Sequence, residues 1–201
     1  MSAAVYTIGH SNHEIELFIG LLQAHAITAV GDVRSSPYSR YNPQFNRENL
    51  EKSLRQAGIA YRFLGQELGA RSDDPSCYEG TKVQYVRLAQ TAVFQRGIKR
   101  VLTGMEQFRL ALMCAEKDPL DCHRFVLVSR QLVKDGIAVQ HILPDGAVES
   151  HAEALERLSR QLDLPEEDLF RSHQEILEDA YTLQAERIAY DRAADSPGSA
   201  G

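Results

Sequence analysis

The feature that most constrains this chain is an alternation. Short apolar runs are separated by stretches of helical period, from Ala4 to Leu143. Ala4–Ile8, Ile27–Val33, Ala60–Leu64, Phe108–Cys114 and Ala138–Leu143 read as strands. Several are apolar at nearly every position, the pattern of strands covered on both faces. Between the first two, Ile15, Leu17, Phe18, Leu21 and Leu22 form one helical face, with Asn12 as candidate cap. A second helix spans Arg47–Ala57 and is closed by Gly58. Lys82–Gly97 and Ile98–Gln107 read as helices, as does Cys122–Lys134, capped by Asp121 and ended by Gly136. Strands alternating with helices predict parallel βαβ units. The expected fold is therefore α/β, a Rossmann-like parallel sheet of about five strands covered by helices. Ser35–Asn46 and Gly65–Thr81 read as long loops, the second of a length that belongs to lids and binding loops.

Composition narrows the class. Hydrophobic residues make up 43% and charged residues 25%, enough for a core without staples. No apolar run approaches the roughly 18 residues of a membrane span, and the first residues do not pair a basic segment with an apolar one, as a secretory signal does. Three cysteines suit reduced thiols and a cytoplasmic location, not a disulfide framework. The net charge of -6 is uneven, because 12 of the 28 acidic residues but 5 of the 22 basic ones follow Ser150. A broad basic face for coating DNA is excluded, while a local anion-binding cleft is not.

After Glu149 the pattern turns to acidic helices, His151–Leu162 and Pro165–Gln184, with stripes at Leu155, Leu158, Leu162 and at Leu169, Ile176, Leu183. The organisation expected is an α/β domain over 1–148, a C-terminal helical extension over 149–192 and a disordered small-residue tail over 193–201. The extension would pack on the domain or join copies as a homo-oligomer.

In such a sheet, ligands bind beyond the carboxyl ends of the strands. Those ends carry His10 and Ser11, then Asp32 and Arg34 with Arg40 soon after, then Cys114 and Glu116, followed by Cys122, His123 and Arg124. Cys122 in a first helical turn beside Arg124 would have a depressed pKa, and the same N–H groups could hold a phosphate or carboxylate. Cys114, Cys122 and His123, with His10 or Asp32 as a fourth ligand, would alternatively suit zinc or iron. Against this, adjacent helical residues point about 100° apart. The plainer alternatives are a buried Cys114, a loop-satisfied His10 and an Asp32–Arg34 ion pair. Arg40, Arg47, Arg71 and Lys82, interleaved with Tyr38, Tyr41, Phe45 and Tyr78, suit a nucleotide, single-stranded nucleic acid or a solvated rim.

TIGHSNH, GDVRSSPYSR, YRFLGQELGAR, CAEKDPLDCHR and HILPDG, in this order, resemble the DUF488 family over roughly residues 5–146. Ala70 stands where the family form has glycine. The resemblance implies an α/β domain with motif residues His10, Asp32, Arg34, Arg40, Cys114, Glu116, Cys122, His123 and Arg124. It supplies no reaction and no cofactor.

The leading expectation is an enzyme holding a small anionic, phosphate-bearing ligand, such as a nucleotide or nucleic-acid end. Ser11, Arg34, Arg40, His123 and Arg124 would bind it. Cys122 would be the thiolate, Cys114 its partner, and His10, Asp32 or Glu116 the proton carriers. The alternatives are a metal-dependent enzyme and a non-catalytic nucleotide or nucleic-acid binding module.

Overall fold

The computed structural model describes residues 4–195. In chain order they form β1 (Ala4–Gly9), α1 (Ile15–Ala24), β2 (Ala29–Asp32), α2 (Arg47–Gln56), β3 (Ala60–Phe63), α3 (Gly65–Leu68), β4 (Tyr78–Glu79), β5 (Lys82–Val83), α4 (Tyr85–Ala89), α5 (Ala92–Met105), β6 (Leu110–Cys114), α6 (Arg130–Lys134), β7 (Ala138–Ile142), β8 (Val148–Ser150), α7 (His151–Gln161) and α8 (His173–Arg187). Six strands build the main sheet in the order β3-β2-β6-β1-β7-β8. The first five are parallel, and β8 returns antiparallel to β7. The fold is α/β, a mostly parallel sheet covered by helices with helices at the C-terminal end. None of the described helices is long and apolar enough to cross a membrane.

Strand alternation sorts the core into two layers. Val5, Ala29, Leu110, Leu112 and Cys114 face α5, the Phe125–Leu132 segment, α7 and α8. Ile8, Val30, Ala111, Met113 and Ile142 face α1 and α2 through Phe18, Leu22, Leu50 and Leu54. The C-terminal helices pack on the first layer, where Ala154, Leu155, Leu158, Ala180 and Tyr181 are buried, while Leu183 of α8 stays exposed. A buried polar chain ties them to the sheet: Thr7 Oγ1 to His141 Nδ1 at 2.7 Å, His141 Nε2 to His151 Nδ1 at 3.0 Å, and His151 Nε2 to the Tyr181 hydroxyl.

Several local expectations are corrected. Helix α1 starts at Ile15 behind Glu14, not at Asn12. The supposed long loop after Gly65 holds α3, a 3-10 turn and the β4–β5 hairpin. Lys82 and Val83 are strand, and the break between α4 and α5 falls where the Thr91 side chain caps Phe94 N–H, not at Gly97. The second acidic helix begins at His173, after the Ser172 capping box, so Leu169 lies outside it and is 94% exposed. Of the expected tail, Ala193–Asp195 belong to a 3-10 turn, Arg192–Asp195, and 196–201 lie outside the described residues.

Candidate functional site

The strand-end residues are brought close together. The sheet sets Asp32 and Cys114 on opposite faces, while Arg34 bonds to Asp32 and also lines the cavity that holds Cys114, Cys122 and His123. Asp32 pairs in register with Met113, and Cys114 with Gly9. Asp32 and Cys114 therefore leave the sheet on opposite faces.

On the α1–α2 face, Asp32 and Arg34 satisfy each other. Arg34 donates from Nε to Asp32 Oδ1 at 2.9 Å, from Nη2 to Oδ2 at 2.7 Å and from its backbone N–H to Oδ1 at 3.1 Å. The Tyr61 hydroxyl donates to Asp32 Oδ2 at 2.8 Å, and Arg34 Nη2 also donates to Phe45 O. Arg34 Nη1 lies 3.2 Å from His10 Nε2, while His10 Nδ1 lies 2.7 Å from Ser11 O. With these partners the imidazole is assigned neutral, Nδ1–H donating and Nε2 accepting. Burial, and secondarily Arg34, lowers its pKa to about 4. Stacked on Phe45 at 4.3 Å, His10 is 4% exposed and packed. Ser11, in the left-handed region at φ 49°, closes that turn. Arg40 is exposed beside Tyr41 and joins neither group.

On the other face, Cys114, Cys122 and His123 converge. Both sulfurs and one ring nitrogen lie within 4.8 Å of one another. His123 Nδ1 is 3.7 Å from Cys114 Sγ and 3.8 Å from Cys122 Sγ, and its Nε2–H donates to Val33 O at 3.1 Å. Glu116 is exposed as a residue, but its Oε2 reaches 3.3 Å from Cys114 Sγ. His10 and Asp32 stand outside this donor set.

Local structure explains how adjacent Cys122 and His123 share a site, the point that helical geometry argued against. Asp118, not Asp121, caps a 3-10 turn at Pro119–Asp121, leaving Cys122 extended at φ -133° and ψ 141°. The following helix runs through a π segment, Arg124–Ser129, into α6 with His123 as its cap residue. Cys122 thus precedes the helix, and its Sγ accepts the Arg124 backbone N–H at 3.4 Å. The Arg124 side chain, 1% exposed, donates instead to Glu116 O at 2.8 Å and Lys117 O at 3.4 Å, clamping the loop between the cysteines. Gly9 makes room for that loop, since a Cβ there would stand 1.9 Å from Glu116 O.

The charges follow from this arrangement. Burial alone would raise the Cys122 thiol, but the hydrogen bond to Cys114, then Arg124 and His123, hold it well below the usual thiol value. The same bond, with burial, pushes Cys114 well above. Burial opposes protonation of His123, and the neighbouring Cys122 outweighs it and raises its pKa. Where the Glu116 carboxyl enters the pocket, loss of water and then Cys122 raise it too.

The group opens into a cavity of about 340 Å³, lined among others by Arg71, Tyr85, Ile188 and Tyr190. That volume suits a small molecule. Arg71 was visible in the sequence as the last residue of the YRFLGQELGAR stretch. Tyr85, Ile188 and Tyr190 sit in no motif, and only tertiary packing brings them here.

A larger groove of about 630 Å³ runs between β3 and α5, far in character from this chemistry. Its wall includes Tyr61, Arg62 and Phe108 but no cysteine or histidine.

No curated protein and no solved structure matches the chain. A family model described as Domain of unknown function DUF488 matches residues 14–131, more than half of the chain. That span contains Asp32, Arg34, Cys114, Glu116, Cys122, His123 and Arg124, and it ends before the helices that carry Ile188 and Tyr190. It also leaves out the TIGHSNH and HILPDG segments, including His10. On the strength of that match, the chain belongs to the DUF488 family.

Proposed function

We propose that the chain is a metal-dependent enzyme whose centre is Cys114, Cys122 and His123, acting on a small ligand in the adjoining cavity. One observation carries the reading: the convergence of three soft or borderline donors within 4.8 Å. Around a tetrahedral zinc with sulfur at about 2.3 Å and nitrogen at about 2.0 Å, donors stand about 3.5–3.8 Å apart. His123 Nδ1 stands 3.7 and 3.8 Å from the two sulfurs. Two thiols and an imidazole favour zinc or iron(II) over magnesium or calcium. The Nε2–H contact to Val33 O is the outer bond that reserves Nδ1 for an ion. Among the described residues three protein donors converge, which would leave a coordination position, as catalytic sites do.

When bound, such an ion supplies Lewis acidity to a ligand oxygen or a coordinated water. The chain's own residues do the rest. Cys122 as thiolate, Cys114 with its proton given up to Glu116 or solvent, and His123 Nδ1 would hold the ion. Glu116, its pKa raised, holds or accepts a proton at Oε2, 3.3 Å from Cys114 Sγ. Arg71, on the cavity wall, meets the anionic end of the ligand, while Tyr85 and Tyr190 flank its body. Arg34, its guanidinium held by Asp32, and Arg71, stacked on Tyr190, are the arginines of that wall, and a carboxylate or phosphate would meet them there.

Metal content of anaerobically purified protein tests this. Wild type should carry about one equivalent of zinc or iron, lost in Cys122→Ala and in His123→Ala. Equal metal in all three, or none in wild type, overturns the metal centre.

A second reading has its own observation. Cys122 accepts the Arg124 N–H and is held well below the usual thiol range. That supports a metal-free thiolate nucleophile with Cys114 beside it. Metal-free wild type whose Cys122 alkylates rapidly near about pH 6 would favour it.

A further inference from the structure

The chain doubles back across the cavity after α8. From the α8 cap residue Ile188, through Ala189, Tyr190 and Asp191, to the 3-10 turn that starts at Arg192, the chain forms a strap laid against the β4–β5 hairpin. Val83 N–H donates to Tyr190 O at 2.9 Å, Asp191 bridges antiparallel to Lys82, and Arg192 N–H donates to Thr81 O at 3.0 Å. Side chains reinforce the seam. The Tyr85 hydroxyl donates to Ile188 O at 3.4 Å, and Arg192 donates to Ser72 O at 2.7 Å while lying 3.5 Å over the Tyr78 ring. Arg71 lies 4.5 Å over the Tyr190 ring. The strap therefore has backbone pairing, an anchoring arginine and an aromatic side chain facing the cavity.

The helix that leads into the strap touches the site as well. Gln184, 1% exposed, donates from Nε2 to Leu120 O at 2.8 Å, within the 3-10 turn that sets Cys122. The C-terminal helices thus reach the cysteine loop from behind and the cavity from in front. Both contacts lie beyond residue 131, where the DUF488 match ends.

We infer that the C-terminal strap is the specificity wall of this cavity, with Tyr190 the residue that decides what reaches the cysteines. The class of ligand it favours is a small molecule with a flat apolar part, seated along Tyr190 and Tyr85, and an anionic end at Arg71. The inference takes the cavity of the proposed function as its site, but it does not require a metal there. The family's matched core would supply the reactive group, and this chain's own extension the selection.

The test uses the full chain stripped of metal by a chelator, with alkylation read on separate cysteine peptides. Two probes are compared, iodoacetamide and a bulky maleimide. Cys77, fully buried in the 3-10 turn before β4, reports any general loosening. Tyr190→Ala should raise bulky-maleimide labelling of Cys114 and Cys122 about tenfold, iodoacetamide labelling less, and Cys77 not at all. Tyr190→Phe, which keeps the ring, should behave as wild type. Should Tyr190→Ala not fold, Tyr190→Trp provides the opposite sign, slower labelling by the bulky reagent alone. Unchanged size discrimination in the folded variants overturns the inference, as does labelling of Cys77 in step with the other two. A wild type without metal would defeat the metal centre and leave this experiment intact, so the two failures are separable.

Discussion

Two polar clusters stand back to back at the same end of the sheet, and they differ in what is left over. On the α1–α2 face, Asp32, Arg34, His10 and Tyr61 bond to one another and to backbone, Asp32 is fully buried, and of the four Arg34 alone also lines the cavity. On the opposite face, Cys114, Cys122, His123 and Glu116 also touch one another but line a cavity. A buried charge needs partners on every side to be tolerated. A reactive centre needs at least one direction in which its partner is absent until a ligand arrives. The first cluster reads as architecture and the second as chemistry, although both were equally prominent as strand-end motifs.

The largest expected effect breaks the architectural cluster. Asp32→Ala strands the Arg34 guanidinium, 6% exposed, without its carboxylate. Removing one member of a buried pair costs about 3–5 kcal/mol, which urea unfolding would read as a lower midpoint with little change in slope. Metal content per folded molecule should stay at the wild-type level. A loss below about 1 kcal/mol would instead mean that the pair behaves as an exposed one.

The next effect is pH dependent and sharpens the same contrast. His10 has a folded pKa of about 4, against an ordinary value of 6.5. Between those values the unfolded chain binds more protons, so His10 stabilises the fold fully above 6.5. That contribution is lost as pH falls towards 4, at up to about 1.4 kcal/mol per pH unit. His151, also lowered to about 4 by burial, acts with the same sign in both proteins compared. Replacing His10 by Gln should therefore flatten the acid side of the stability curve by about one proton between pH 6.5 and 5. Parallel curves for wild type and His10→Gln would show that His10 is solvated.

How much of this was legible in the sequence follows from the same division. The parallel strands β1, β2, β6 and β7 stood out as largely apolar runs between turn residues, and β3, exposed or half-buried throughout, through its Tyr61 and Phe63 between Gly58 and Gly65. Strand β8, three residues long, and the two-residue strands β4 and β5 carry no such run and exist through their pairing partners. Every residue of the cysteine cluster was visible as a motif. Its separation from Asp32 and His10 was not, because period-two alternation assigns faces only once the register is known. Asp32 opposite Met113 settles it, with Cys114 one residue further on. The shared site of Cys122 and His123 was hidden by a cap: Asp121 looked like the helix start, whereas Asp118 caps a separate turn. Tyr190 could not be found at all, since its place depends on α7 and α8 folding back over the core.

The smallest expected effect completes the comparison from the chemical side. Cys122→Ser should change stability by no more than about 1 kcal/mol, in contrast to Asp32→Ala. Cys122 sits just before the helix, where its side chain accepts the Arg124 N–H at 3.4 Å. Serine is among the preferred residues for accepting such an N–H, so the contact survives the exchange. Cys122 is 2% exposed but lines the cavity, and with the Arg124 N–H as partner the hydroxyl is not a stranded polar group. Metal uptake and thiolate reactivity should nevertheless disappear, because serine at neutral pH offers neither a soft ligand nor a low-pKa nucleophile. Stability held with reactivity lost would separate chemistry from architecture across the width of one sheet. A stability loss as large as that of Asp32→Ala would mean that the cysteines, too, are there to hold the fold.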